Sequence, residues 1–184
     1  EDRGKSWSMI LPDPRKNTVE HQVGDHSDIF LSSDDPAYPG AGSISALVVD
    51  PHDSKRIYIA FTKRPSASAV YVSTDRGASW KELAPIPQTA VLLTVHGDNV
   101  VAIAGKAAYE IGRDGKVSEG SALPGNILAA SAAHSGKATW LYATTAEGKL
   151  FISENAGGAW REALPAIGLA SVGLHSIATS YRHE

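Results

Sequence analysis

The residues with the most chemistry to offer cluster in one stretch. Positions 12–43 carry His21, Asp25, His26, Asp28, Asp34, Asp35 and Tyr38, and Lys63 and Arg64 follow in a second loop. His21-x-x-x-Asp25-His26-x-Asp28 contains metal-ligand types, but its spacing is no zinc signature. Acids held a few ångströms apart perform glycoside hydrolysis. Tyr38, Lys63 and Arg64 suit contact with a carbohydrate or peptide. Asp is also a common surface turn residue. Three readings stand: a solvated insertion or domain contact, a ligand-binding loop, and a metal or carboxylate site. No metal and no cofactor is expected.

Elements must position these groups, and a repeated motif identifies them. Ser73-Thr74-Asp75-Arg76-Gly77-Ala78-Ser79-Trp80 reads Ser-x-Asp-x-Gly-x-x-Trp. Ser153, Asn155, Gly157 and Trp160 repeat it with Asn for Asp, and Asp2, Gly4 and Trp7 match its later part. An Asp or Asn side chain accepts bonds from turn N–H groups, Gly supplies positive φ, and Trp buries a large surface as the next strand opens. The pattern predicts hairpins. Trp7 and Trp80 are 73 residues apart, Trp80 and Trp160 80. A copy without Trp lies between the last two, with its tight turn at Arg113-Asp114-Gly115.

Each hairpin follows two further apolar runs. Strands are expected at 44–50, 56–61, 69–73 and 80–83; at 90–95, 99–104, 108–111 and around 117; and at 126–133, 138–144, 149–153 and 160–164. Four antiparallel strands recurring about every 40 residues form the unit of a β-propeller. The expected fold is all-β, a fragment of about three four-stranded blades plus flanking strands. Residues 1–11 would form an outer strand of a preceding blade, 12–43 a long inter-blade insertion, and 44–88, 89–124 and 125–168 the blades. Residues 169–184 would give the inner strand of the next blade. The chain starts inside a motif, which points to a piece of a larger ring. On that reading it needs its remaining blades, a complementary chain or self-association to cover its edges.

Composition narrows the function. The chain has 184 residues, a formal charge of −3 and no cysteine. Mild acidity argues against nucleic-acid binding. No apolar run approaches the roughly 20 residues of a membrane-spanning helix, so no membrane partner is expected. A disulfide scaffold and cysteine-ligated zinc are excluded. Phosphate-loop and nucleophile-elbow patterns are absent. His52 and His96 fall in turns, where solvation is expected. Trp7, Trp80 and Trp160 are expected to pack within their hairpins, and Trp140 between blades.

The three hairpins resemble Asp-box repeats, and Leu47-Val48-Val49-Asp50-Pro51 through Tyr58-Ile59-Ala60 resembles the strand-turn-strand before them in such propellers. The resemblance places the chain beside sialidases, two-propeller xyloglucanases, sortilin-type domains and photosystem-assembly propellers. It implies a ligand face built from the connections between blades and from the loops between second and third strands, opposite the Asp-box turns. No Arg-Ile-Pro segment is present. The stretch Phe61-Thr62-Lys63-Arg64, where a xyloglucanase-type acid would stand, has none. The favoured reading is a secreted or periplasmic propeller module binding glycan or protein, with His21, Asp25, His26, Asp28, Tyr38, Lys63 and Arg64 as candidate contacts. The alternatives are part of a glycoside hydrolase whose catalytic residues lie outside this chain, and a purely structural module of a larger extracellular protein.

Overall fold

The computed structural model describes residues 4–7, 18–23, 28–33, 42–63, 67–135, 138–163 and 178. Strands β1 (Thr18–Val23) and β2 (Asp28–Ser33) pair as an antiparallel hairpin. Three four-stranded antiparallel meanders follow. The first contains β3 (Gly42–Asp50), β4 (Asp53–Lys63), β5 (Ala67–Ser73) and β6 (Lys81–Ile86). The second contains β7 (Ala90–His96), β8 (Asn99–Ala104), β9 (Ala107–Ile111) and β10 (Val117–Glu119). The third contains β11 (Ile127–Ser135), β12 (Ala138–Thr145), β13 (Leu150–Ser153) and β14 (Arg161–Glu162). No helix occurs among the described residues. Of the outer strand expected in 1–11, residues 4–7 are described and are not in a strand; of the inner strand expected in 169–184, Ala178 alone is described, and it is not in a strand.

Strand β8 and residues 57–61 of β4 read as continuous apolar runs because both faces are covered, whereas burial alternates along most of β12. Tyr58 and Ala60 point toward the second sheet, packing with Val95, Val100, Ala102 and Tyr109. Their neighbours Ile59 and Phe61 lie on the opposite face with Tyr71 and Trp80. Val101 and Ile103 of β8 face the third sheet, meeting Leu141, Ala143 and Phe151. The middle sheet is therefore packed on both sides. Burial of such side chains contributes roughly 1.5–3 kcal/mol each. The outermost strands are short or carry charge and proline (Lys81, Glu82, Pro85, Arg161, Glu162), as solvent-facing edges require.

The hairpin motif is built by side-chain bonds. Ser73 Oγ accepts from Gly77 N at 2.7 Å, and Asp75 Oδ1 accepts from Ser79 N at 2.8 Å. The third sheet repeats this with Gly157 N to Ser153 Oγ at 2.8 Å and Ala159 N to Asn155 Oδ1 at 2.9 Å. Two successive residues take positive φ in each turn, Arg76 and Gly77, then Ala156 and Gly157. The non-glycine member was not foreseen. Hydrogen bonds from Ser79, and secondarily from Ser73, hold the Asp75 carboxyl down at about 2. Trp80 is buried and its Nε1 donates to Gly77 O at 3.1 Å. Trp160 is half-buried, yet its Nε1 is enclosed without a partner. Trp7 departs from expectation: its Nε1 donates to Gly4 O at 3.1 Å, but the ring is 91% exposed. Trp80 packs on the sheet formed by β4 and β5, and no described sheet lies under Trp7.

Candidate functional site

Each innermost strand opens with a β-bulge, between Ile44 and Ala46, Ala90 and Leu92, and Ile127 and Ala129. Register then makes Thr62, Gly105 and Ala146 equivalent, one step beyond the partners Phe61, Ala104 and Thr145. It also aligns the connection Pro87-Gln88-Thr89-Ala90 with Pro124-Gly125-Asn126-Ile127. Proline fixes φ at the first position of each connection, which bends at Pro87-Gln88 and at Pro124-Gly125 before the inner strand begins. Backbone bonds tie these connections to the adjoining turns: Ile127 N donates to Gly105 O at 2.7 Å and Ala146 N to Asn126 O at 3.1 Å.

Between the two connections lies a cleft of about 460 Å³, lined by Thr62, Pro87, Gln88, Thr89, Val91, Gly105, Asn126 and Ile127. That volume is in the range of small-ligand sites. Val91 and Ile127 supply apolar surface. Thr62 Oγ1 donates to Thr89 Oγ1 at 3.2 Å and lies 3.2 Å from Ser68 Oγ. The Gln88 amide lies close against Gly105, whose φ is +58°; a Cβ there would stand 2.5 Å from Gln88 Oε1. Among the described residues the lining therefore offers two side-chain amides and two hydroxyls, and no carboxylate, imidazole or cation. Such groups hydrogen-bond neutral hydroxyl or amide partners.

The structure places the expected site residues less completely. His21 and Asp28 stand on partner strands but not opposite each other, since His21 pairs with Phe30 and Asp28 with Val23. Lys63 ends β4, paired with Gly42 and Ala67. Asp25, His26, Tyr38 and Arg64 lie outside the described residues. The segment read as a loop thus contains a hairpin. Among the described residues no three His, Asp or Glu side chains are grouped to hold a metal. His52 is exposed, as expected, whereas His96 is half-buried and lies 3.0 Å from Thr139 Oγ1. Gln88, Thr89, Gly105 and Asn126 went unnoticed because they are neutral. The signal that finds Gln88, Thr89 and Asn126 is the Pro-x-(Thr or Asn)-apolar tetrapeptide leading into β7 and β11.

No family model matches the chain, and no curated protein matches it. Solved structures do. A GH74 xyloglucanase from Xanthomonas campestris aligns with a TM-score of 0.58 at 19% identity, over 89% of this chain and 26% of its own. The structure of YCF48 bound to D1 peptide gives 0.56 at 19%, over 86% and 45%. YCF48 from Cyanidioschyzon merolae gives 0.51 at 19%, over 67% and 38%. The fold is that of a β-propeller. At these identities the likeness concerns architecture, and this chain spans less than half of each neighbour's length. In propeller terms the three meanders are blades, with β3, β7 and β11 innermost.

Proposed function

We propose that this chain is an Asp-box propeller module that binds a neutral polar ligand, a glycan or a protein segment, through the cleft between its inter-blade connections. The Ser-x-Asp/Asn-x-Gly-x-x-Trp turns, with their repeated serine and carboxyl or amide bonds, are its Asp boxes. The observation that carries the reading is the cleft itself. Apolar surface with a few convergent neutral polar groups is the usual chemistry of a recognition site. It sits at the ends of the strands opposite the hairpin turns, where the resemblance leads one to look. Two neighbours support the range of ligands: one was solved with a peptide bound and another is a xyloglucanase. Glycoside hydrolysis uses paired carboxylates about 5–10 Å apart, and the described residues of the cleft lining include none. Binding is therefore favoured over catalysis at this place. Further blades, from the same protein or a complementary chain, would complete the ring, since closed propellers use about 4–8.

Calorimetric titration with a panel of neutral oligosaccharides and short peptides tests this. One class should bind saturably. Asn126→Ala and Gln88→Ala should each weaken it about fivefold or more, the loss of one hydrogen bond. Lys116→Ala, in an exposed turn at the other end of the strands, should leave it unchanged. Saturable binding that ignores the cleft substitutions, or none across the panel, would overturn the reading.

A further inference from the structure

Alternation along the strands brings four polar side chains to the seam between the second and third blades, at the end opposite the cleft. Leu93 and Val95 of β7 face the first blade, so Thr94 and His96 face the third. Ala130 and Ala132 of β11, and Leu141 and Ala143 of β12, pack in the second-to-third core, which puts His134 and Thr139 on the same side. His134 and Thr139 are register partners. The apolar seam is closed at this end by a chain of contacts. Thr94 Oγ1 lies 3.0 Å from His134 Nε2, His134 Nδ1 lies 3.2 Å from Thr139 Oγ1, and Thr139 Oγ1 lies 3.0 Å from His96 Nδ1. Both threonines are buried, His96 is half-buried, and His134, at the outer end of β11, is exposed.

We propose that these four side chains form a proton-sensitive latch, which joins β7 to the third blade while the imidazoles are neutral and loosens once both are charged. Proton counting gives the mechanism. With both rings neutral every contact is satisfied: the Thr94 hydroxyl donates to His134 Nε2, His134 Nδ1–H to Thr139 Oγ1 and the Thr139 hydroxyl to His96 Nδ1, or all three bonds run in the reverse direction. A proton added to His134 is tolerated, because the Thr94 hydroxyl then accepts. A second proton, on His96, gives Thr139 two N–H donors and leaves its own hydroxyl proton without its acceptor. Two like charges then face each other across one oxygen, within about 6 Å.

Among the described residues no carboxylate bonds either ring. Strands β7, β8, β11 and β12 contain no Asp, Glu, Lys or Arg, and their only other ionisable side chain is Tyr142. Tyr142 alternates to the opposite face from Leu141 and Ala143. Asp98, in the turn after His96, is bridged to Arg113. Lys137, in the turn after His134, lies outside the described residues. Burial, and secondarily the charge of His96, hold the His134 ring below the usual imidazole range. A base depressed by folding stabilises the fold above its unfolded value, and that contribution is lost as the pH falls toward the folded value.

The test is a histidine titration of the whole chain by NMR, with urea midpoints at about pH 7.5 and about pH 5.5. His134 should titrate below the free value of about 6.5. The unaltered chain should lose midpoint in acid. His134→Gln and His96→Gln should lose clearly less, while His52→Gln, at an exposed turn, should behave as the parent. Titration of His134 at or above about 6.5, or an undiminished acid loss in His134→Gln, would overturn the latch. Should the variants fail to fold, the titration of the unaltered chain decides.

Discussion

Trp80 and Trp160 occupy the same position in two hairpins and differ in one bond. Trp80 Nε1 has Gly77 O as acceptor, and Trp160 Nε1 has none. Replacing either with Phe removes similar ring area. Trp80→Phe also forfeits a hydrogen bond, a net contribution near 1 kcal/mol, whereas Trp160→Phe removes an enclosed unpaired donor. Trp80→Phe should therefore be the more destabilising in denaturant titration, by about 1 kcal/mol. Equal losses would mean that the Trp80 bond contributes nothing. Asp75 provides a second contrast, since Asn155 makes the equivalent backbone bonds without a charge. Its carboxyl is held at about 2 against an ordinary 3.8, so its contribution is present above the ordinary value and fades as the pH falls toward 2. Asp75→Asn should keep the hairpin folded and flatten the acid limb of stability between about pH 4 and pH 2. The carboxyl's own signal, followed by NMR, checks the titration directly.

Elements are held to one another where backbone comes close. A Cβ on Gly157 would stand 2.2 Å from Ala108 Cβ of the adjoining blade, and the residue's φ is +95°. Neither the β9 backbone nor the turn can yield cheaply. Gly157→Ala should cost about 2–3 kcal/mol or more, from strain and overpacking together. At Gly105 the obstructing atom is the end of the flexible Gln88 side chain. Gly105→Ala, at a φ of +58°, should cost less, about 1–2 kcal/mol of left-handed strain, while projecting a methyl toward the cleft. Thermal melts compare the two. Most elements were legible in the residues: the Ser-x-Asp/Asn-x-Gly-x-x-Trp spacing located two hairpins, and short apolar runs located the blade strands to within a few residues. Trp80 and Trp160 precede their strands instead of opening them, because the indole folds back over the turn, in Trp80's case onto Gly77 O. The hairpin at 18–33 was not legible, since charged and polar residues interrupt its apolar alternation. His96 was misjudged because its partner, Thr139, is distant in sequence.

At the scale of the whole molecule, three blades stack through two apolar seams, and the second-to-third seam differs chemically at its two ends. The middle blade is covered on both faces, while Ile44, Leu47 and Val49 of the innermost strand β3 stay exposed. The connections between blades converge on the cleft, and the hairpin turns and the His96–His134 pair occupy the opposite end. Charged candidates drew attention to 12–43 because titratable side chains announce themselves in a sequence. A cleft assembled from Thr62, Gln88, Thr89 and Asn126 is visible only once strand register brings two connections together. The central claim is that this neutral cleft receives the ligand. The most direct measurement is a crystal structure of the protein soaked with the best binder from a panel of neutral oligosaccharides and peptides. The account predicts ligand density between Gln88 and Asn126, resting on Val91 and Ile127. Density at the hairpin-turn end, with the cleft vacant, would contradict it.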